Sequence, residues 1–158
     1  MLDDFLIHVF HKGNTLEAYK VFGAHLETND HKKGVRFTVY APNARSVQVV
    51  GDFNDWDGQN HYMERYTDGG IWTLFIPGVK EFALYKYRIE TQNFATVDRA
   101  DPYAFYSELR PGTASRVYNI ERFRWADKKW LNSRTKNFDK PMNIYEVNIG
   151  SWKNEKGF

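Results

Sequence analysis

Hydrophobic and polar residues change their spacing along this chain, from a helical period near its start to a two-residue period further on. The positions of Leu6, Val9 and Phe10 predict a helix over residues 5–10, capped by the aspartate at position 3 or 4. Thr15–Tyr19 then reads as a second helical turn with Thr15 as its cap. We therefore expect a short helical segment before the main fold.

A strict alternation follows this segment and predicts β-strands. Val35, Phe37 and Val39 alternate with more polar residues, which is typical of a half-buried strand. Glycine, proline and asparagine turn signals separate it from further short apolar runs. Those runs predict strands at 46–51, 71–76 and 84–89 and shorter edge strands at 96–98 and 115–118. The pattern predicts an all-β sandwich.

The character of the chain changes again near residue 121. Trp125 and Trp130 lie among five lysines and arginines, which predicts a connector that packs against another structure. A further strand is predicted at 142–149, so late that we expect another domain to follow. The predicted division is a helical segment at 1–30, a sandwich at 31–121, a connector at 122–141 and the start of a further domain at 142–158.

Composition narrows the class of protein. The chain has 158 residues, 42% of them hydrophobic and 27% charged, which fits a globular domain with a real core. Aromatic residues reach 17%, an excess that favours strands and also suits a surface for stacking sugars. A net charge of +2 without a basic block argues against nucleic acid as a partner.

The sequence also bears on disulfide formation and on cellular location. The sequence has no cysteine, so it can form neither a disulfide nor a thiolate metal site. No apolar run reaches the roughly 20 residues of a membrane span. The first residues are acidic where a signal peptide would be basic, so we expect a cytoplasmic protein with no membrane partner.

Val49–Trp56 carries the most informative local chemistry. A β-branched run stops at a glycine, turns through Asp52, Asn54 and a further aspartate, and presents Trp56. A flat ring on a polar turn can stack on the apolar face of a sugar, although Trp56 can equally belong to the core of a sandwich. We expect Asp52 and Asn54 to brace the turn through backbone hydrogen bonds.

Other chemistries have little support. His8 and His11 lack a third ligand nearby in sequence, so no metal site is predicted. The acidic residues around position 55 have no second element to set a catalytic separation. The glycine pair at 69–70 lacks the lysine and helix of a phosphate-binding loop, so we expect no cofactor.

Several further motifs lie in order along the chain, from about residue 16 to 153. They are Phe22–His25, Val35–Ala44, Ile71–Trp72, Tyr85–Tyr87, Ala100–Ala104, Arg110–Ser115 and Ile144–Trp152. Together with the Gly-Asp-Phe-Asn-x-Trp element at 51–56, they resemble glycogen branching enzymes. That element alone is shared with family-48 starch-binding modules, including those of debranching enzymes and of a kinase regulatory subunit, whereas the motifs within 22–25, 100–104, 110–115 and 144–152 are far narrower.

This resemblance implies an immunoglobulin-like carbohydrate-binding module ahead of an α-amylase-type (β/α)8 barrel, whose first strand begins near residue 142. The family cleaves an α-1,4 glucan bond and transfers the segment to a 6-hydroxyl, using two carboxyl groups on later barrel strands. None of those residues can be placed on this sequence, so we expect these residues alone to be inactive. Asn148 stands where the family usually has histidine, which removes a titrating group there.

Four side chains are candidate contacts with glucan. Besides Trp56, the resemblance suggests Lys86 as a contact and Phe94 at the position of a second stacking ring. Asn119 could donate to a sugar hydroxyl. Each also has a structural interpretation: a surface lysine with a buried stem, a loop anchor, and an ordinary polar residue at a strand end.

Three functions stay open from the sequence. The chain can be a glucan-binding module that serves a catalytic barrel on the same chain. It can be a structural module that mainly packs on and stabilises that barrel. Alternatively, it can be a stand-alone glycogen-binding module, which the barrel-like sequence after residue 142 argues against.

Overall fold

A computed structural model describes residues 3–67, 69–135, 139–148 and 152 of the chain. In this part of the chain, two α-helices and nine strands form, joined by turns and short 3₁₀ segments. The helices are α1 (Asp4–His11) and α2 (Lys128–Ser133). The strands are β1 (Gly23–Asn29), β2 (Lys32–Tyr40), β3 (Ser46–Gly51), β4 (Glu64–Thr67), β5 (Ile71–Pro77), β6 (Leu84–Glu90), β7 (Thr96–Arg99), β8 (Tyr106–Ser107) and β9 (Ser115–Arg116).

These strands form two antiparallel sheets, which confirms the predicted all-β sandwich. The first sheet has the order β1-β2-β5-β4. The second has the order β3-β6-β9-β8, with β7 also paired to β6. The Phe37 ring of the first sheet meets the Tyr85 ring of the second with centroids 5.0 Å apart, so the core lies between the two layers.

The alternating residues face inward as predicted. Val35, Phe37 and Val39 on β2 and Val47 and Val49 on β3 are buried in this core. Each large aliphatic or aromatic side chain removed from water contributes about 1.5–3 kcal/mol, so these rows dominate the stability of the sandwich.

The helical start of the chain packs on the outside of the first sheet. Asp3 caps α1 by accepting hydrogen bonds from the backbone N–H groups of Phe5 and Leu6 at 3.0 and 3.2 Å, as predicted. Ile7 is the buried residue of the helix and packs in a second cluster with Phe22. The second predicted turn is shorter and later than expected, a 3₁₀ segment at Ala18–Lys20.

Three strands were absent from the sequence prediction. Part of the segment at 1–30, predicted as helical, forms β1, because its backbone pairs with β2 along the edge of the first sheet. The short strands β4 and β8 carry no clear alternation and depend on pairing with β5 and β9.

The chain divides into two compact units, residues 1–123 and 124–158. In the second unit, α2 carries Trp130, over whose ring the Arg134 guanidinium lies at 5.1 Å. The strand predicted at 142–149 is not formed over its described residues 142–148, because a strand needs a paired neighbour. Residue 149 and most of the remaining tail lie outside the described residues, and the division into a connector and a barrel strand stays a prediction. No α-helix in the described part of the chain is long and apolar enough to cross a membrane.

Candidate functional site

The outer face of the second sheet brings together most of the candidate side chains, with β6 as its axis. Tyr85 and Tyr87 point inward and are fully buried. Lys86 and Arg88 alternate with them, so both cations lie on the outer side of the sheet.

The loop after β3 folds back over this outer face. A Cβ atom at Gly58 would lie 2.8 Å from the Cβ of Gln48 and 3.0 Å from Cγ1 of Val50, so only glycine allows this approach. The loop therefore covers Val50, which explains why Val50 is buried although it follows the inward-facing Val49.

Side chains of the turn hold this loop in shape, as the sequence predicted. The Asn54 side chain accepts a hydrogen bond from the Gly51 N–H at 2.8 Å and donates to the Val49 carbonyl oxygen at 3.0 Å. Asp52 accepts from the Leu84 N–H at 3.1 Å and so ties the turn to β6. Both residues brace the backbone in the way proposed for them.

Trp56 follows this turn with 37% of its surface exposed, so the indole is not sealed in the core. Asp55 and Trp56 have φ angles of 51° and 61°, a left-handed pair that costs non-glycine residues energy. Two hydrogen bonds hold this backbone conformation. The backbone N–H of Trp56 donates to the Gly51 carbonyl oxygen at 2.9 Å, and the Trp56 carbonyl oxygen accepts from the Arg88 guanidinium at 3.2 Å.

Lys86 lies beside a threonine that the sequence reasoning did not single out. Its ammonium group donates to Oγ1 of Thr113 at 2.8 Å. The register that pairs Tyr85 with Ser115 brings Thr113 to this position. Thr113 lies within the Arg110–Ser115 motif, so the sequence marked the segment but not its contact.

A shallow groove of about 230 Å³ adjoins Arg88 on the same face. Hydroxyl, amide and charged groups line it, together with the half-exposed Tyr62 ring. The lining residues are Ser46, Gln48, Tyr62, Arg88, Glu90 and Thr96.

Phe94 lies beyond this groove, in the turn between β6 and β7. The Arg45 guanidinium lies 4.0 Å from the centre of its ring and covers one side of it. Despite this contact, Phe94 is 68% exposed. Phe94 is thus available for stacking at one end of the outer face.

Asn119 is not brought together with the other candidates. Its side chain caps a 3₁₀ turn by accepting from the Glu121 N–H at 2.9 Å, and its backbone N–H donates to Glu81. It lines another pocket, of about 510 Å³, with Tyr19, His25, Phe105 and Tyr118. The geometry therefore favours the structural interpretation of Asn119 over a contact shared with Trp56 and Lys86.

Two ion pairs neutralise part of the charge on the outer face. Arg88 donates to both carboxylate oxygens of Asp98, at 2.9 and 3.0 Å, and this pairing holds the pKa of Asp98 below its ordinary value. Arg45 lies 3.7 Å from a carboxylate oxygen of Glu90. Paired charges and hydrogen-bonding groups near a partly exposed indole suit a hydroxyl-rich ligand.

Comparison with known proteins agrees with this geometry. Residues 21–104, just over half of the chain, match the family model of carbohydrate-binding module 48, also described as the isoamylase N-terminal domain. The matched region contains Trp56, Lys86 and Phe94.

Individual relatives give a narrower likeness. The chain is 47% identical over 149 residues to the 1,4-alpha-glucan branching enzymes GlgB of Bacillus cereus (strain AH820) and Bacillus subtilis (strain 168). These matches cover 93% of this chain but only 23% and 24% of those proteins, so the chain spans about a quarter of their length.

Solved structures share the fold. The pullulanase of Klebsiella pneumoniae complexed with maltotriose aligns with a TM-score of 0.50 and 27% identity, over 63% of this chain and 10% of that one. A putative alpha amylase from Salmonella typhimurium aligns with a TM-score of 0.53 and 21% identity, over 69% of this chain and 16% of that one.

Proposed function

The chain belongs to the carbohydrate-binding module 48 family, and from this premise we propose that its outer sheet face binds α-glucan for a 1,4-alpha-glucan branching enzyme. The single observation that carries the proposal is the exposed Trp56 indole, on a residue whose backbone carbonyl oxygen is held by Arg88, a neighbour of Lys86 on the outer side of β6.

In this proposal a glucosyl ring stacks its apolar face on the Trp56 indole. The Lys86 ammonium group and the Thr113 hydroxyl, already 2.8 Å apart, offer donors and an acceptor to neighbouring sugar hydroxyls. Phe94 provides a second ring beyond the groove. The Phe94 ring has no N–H, and the Arg45 guanidinium lies over it, so it contributes less to the binding free energy than Trp56 does.

The role of this module within a full-length branching enzyme is also a proposal, since the chain spans about a quarter of the length of its relatives. We propose that the module holds a glucan near a catalytic barrel that cleaves α-1,4 bonds and forms α-1,6 branches. That role is supported by the 47% identity to branching enzymes, while maltotriose in the pullulanase complex supports a glucan as the ligand class.

Isothermal titration calorimetry of the chain with maltoheptaose tests the binding step. Trp56→Ala is expected to weaken binding by about 1–3 kcal/mol, on the scale of a base stacked on an aromatic side chain. Trp130→Ala removes another exposed tryptophan, which belongs to the second unit of the chain, and should bind like the wild type. Cellohexaose, whose linkage is β-1,4, should bind more weakly than maltoheptaose.

The contrary results are equally clear. If wild type and Trp56→Ala bind maltoheptaose equally, the indole is not the platform. If the wild type binds none, the module has only a packing role.

A further inference from the structure

Three aromatic rings continue the outer face beyond the Lys86–Thr113 pair. The Tyr106 and Tyr118 rings have centroids 5.5 Å apart, and the Tyr118 and Phe82 rings 5.9 Å apart. Tyr106 and Phe82, the two ends of this aromatic stripe, are 42% and 43% exposed. These contacts make the stripe one continuous surface.

An arginine joins the aromatic stripe to the rest of the face. Arg116 follows the inward-facing Ser115, so its side chain lies on the outer side of β9, and the register pairs it with Tyr106. Its guanidinium lies 5.5 Å from the centre of the Tyr106 ring. The Arg116 Nε atom is buried and has no hydrogen-bond partner among the described residues, while the residue as a whole is half-buried.

The strand register shows how close the stripe is to the proposed glucan site. Arg116 is opposite Leu84 on β6, two residues from Lys86 and on the same side of the sheet. Arg116 is thus one strand, about 5 Å, from β6, and Tyr106 is one strand further. From Arg88 to Tyr106 the path is about 15–20 Å across the face.

We infer that the aromatic stripe is a second stacking surface for the same glucan chain, so that the module selects long α-glucans over short ones. This inference rests on the proposed function of the Trp56 face. A short oligosaccharide occupies Trp56 and Lys86 alone. A longer chain continues past Thr113, places further rings on Tyr106, Tyr118 and Phe82, and offers hydroxyls to Arg116.

The chemistry of the stripe favours a sugar as its occupant. Tyrosine presents an apolar ring face with a hydroxyl at its edge, which matches the apolar face and polar rim of a glucosyl unit. A guanidinium beside such a ring supplies planar donors for hydroxyls. In the strand register Arg116 lies between Tyr106 and β6, the strand that carries Lys86, which places the stripe and the Lys86–Thr113 pair within reach of one chain.

Calorimetry with two ligand lengths, maltotriose and maltoheptaose, tests the inference. We compare wild type, Tyr106→Ala, Phe82→Ala and Trp56→Ala, and use Phe5→Ala as a control because Phe5 is an exposed ring on α1. Tyr106→Ala and Phe82→Ala should weaken maltoheptaose binding by about three- to tenfold and leave maltotriose binding unchanged. Trp56→Ala should weaken both ligands, and Phe5→Ala neither.

Distinct results separate the two proposals. If both stripe variants bind each ligand like the wild type while Trp56→Ala binds weakly, the stripe inference is wrong and the proposed function stands; the rings then form a surface for protein. Equal weakening of both ligands would contradict selection by length. If the wild type binds neither ligand, both proposals fail. Thermal unfolding of each variant confirms that it is folded, and Tyr106→Phe, which keeps the ring, should retain binding.

Discussion

The guanidinium of Arg88 donates from Nη1 to the backbone carbonyl oxygen of Trp56 at 3.2 Å. Its other nitrogens hold the Asp98 carboxylate from the neighbouring strand β7. One arginine thus links a strand pair to the loop that carries the indole. The orientation of Trp56 is set by the sheet as well as by its own turn.

Removing this link should reduce binding without unfolding the protein. Arg88→Ala frees the Trp56 carbonyl, and we expect maltoheptaose affinity to fall about two- to tenfold, the range of one hydrogen bond. Asp98→Asn is the matched variant, because it weakens the ion pair and leaves the bond to Trp56 available. Calorimetry should show the larger loss for Arg88→Ala; equal losses would mean that the ion pair, not the tether, matters.

Gly58 should be as important for the site as it is for the loop. In Gly58→Ala the new Cβ meets Gln48 and Val50, which forces the loop away from β3 and shifts Trp56. Both stability and maltoheptaose affinity should fall. Gly78→Ala is the control: the φ of 82° at this position strains an alanine by about 1 kcal/mol, but no atom of the described residues lies within 4 Å of the new Cβ. It should lose stability and keep its affinity.

The sandwich was predictable because its inner rows alternate strongly. An alternation of apolar and polar residues with a period of two indicates a strand with one buried face. It therefore predicts the burial of Val35, Phe37, Val47 and Val49. Strand β1 could not be predicted, because its residues are mostly polar and the strand depends on pairing with β2. Local pattern predicts the centre of a sheet better than its edge.

The candidate site was likewise predictable only in part. The turn at Asp52 and Asn54 was predictable because its hydrogen bonds join residues close in sequence. The positions of Thr113 and Arg116 could not be predicted, because the strand register brings these residues beside Lys86 from about 30 positions away in the sequence. Asn119 stays a prediction as a glucan contact; in the structure its side chain caps a 3₁₀ turn by accepting a hydrogen bond from the Glu121 N–H.

The first sheet should show acid sensitivity through Glu27. Arg36 donates to both Glu27 oxygens at 2.8 and 2.7 Å, which holds the pKa of Glu27 below its ordinary value of 4.5. The pair therefore stabilises the folded protein above pH 4.5, and this contribution is lost as pH falls through the lowered pKa. Glu27→Gln should cost about 1 kcal/mol at neutral pH. Urea unfolding at several pH values should show the difference vanish in acid; a constant difference would exclude the ion pair as its cause.

Asp101 should give the opposite dependence. Its carboxylate accepts from the Tyr85 and Tyr87 hydroxyls at 2.7 and 3.1 Å and from the Tyr103 N–H at 2.8 Å. Burial nevertheless raises the pKa of Asp101 above its ordinary value of 3.8. The folded state then binds the proton more tightly than the unfolded state, so stability from Asp101 is greatest in acid and falls as pH rises through the folded pKa.

Asp101→Asn cannot titrate, so it isolates this contribution. The free energy of unfolding of wild type minus that of Asp101→Asn should decrease as pH rises from about 4. Tyr85→Phe is the companion variant, since it removes one donor and should leave the carboxyl even harder to ionise, which extends the decrease to higher pH. A difference that instead grows with pH would show that the three donors outweigh burial and that Asp101 lies ionised among its tyrosines.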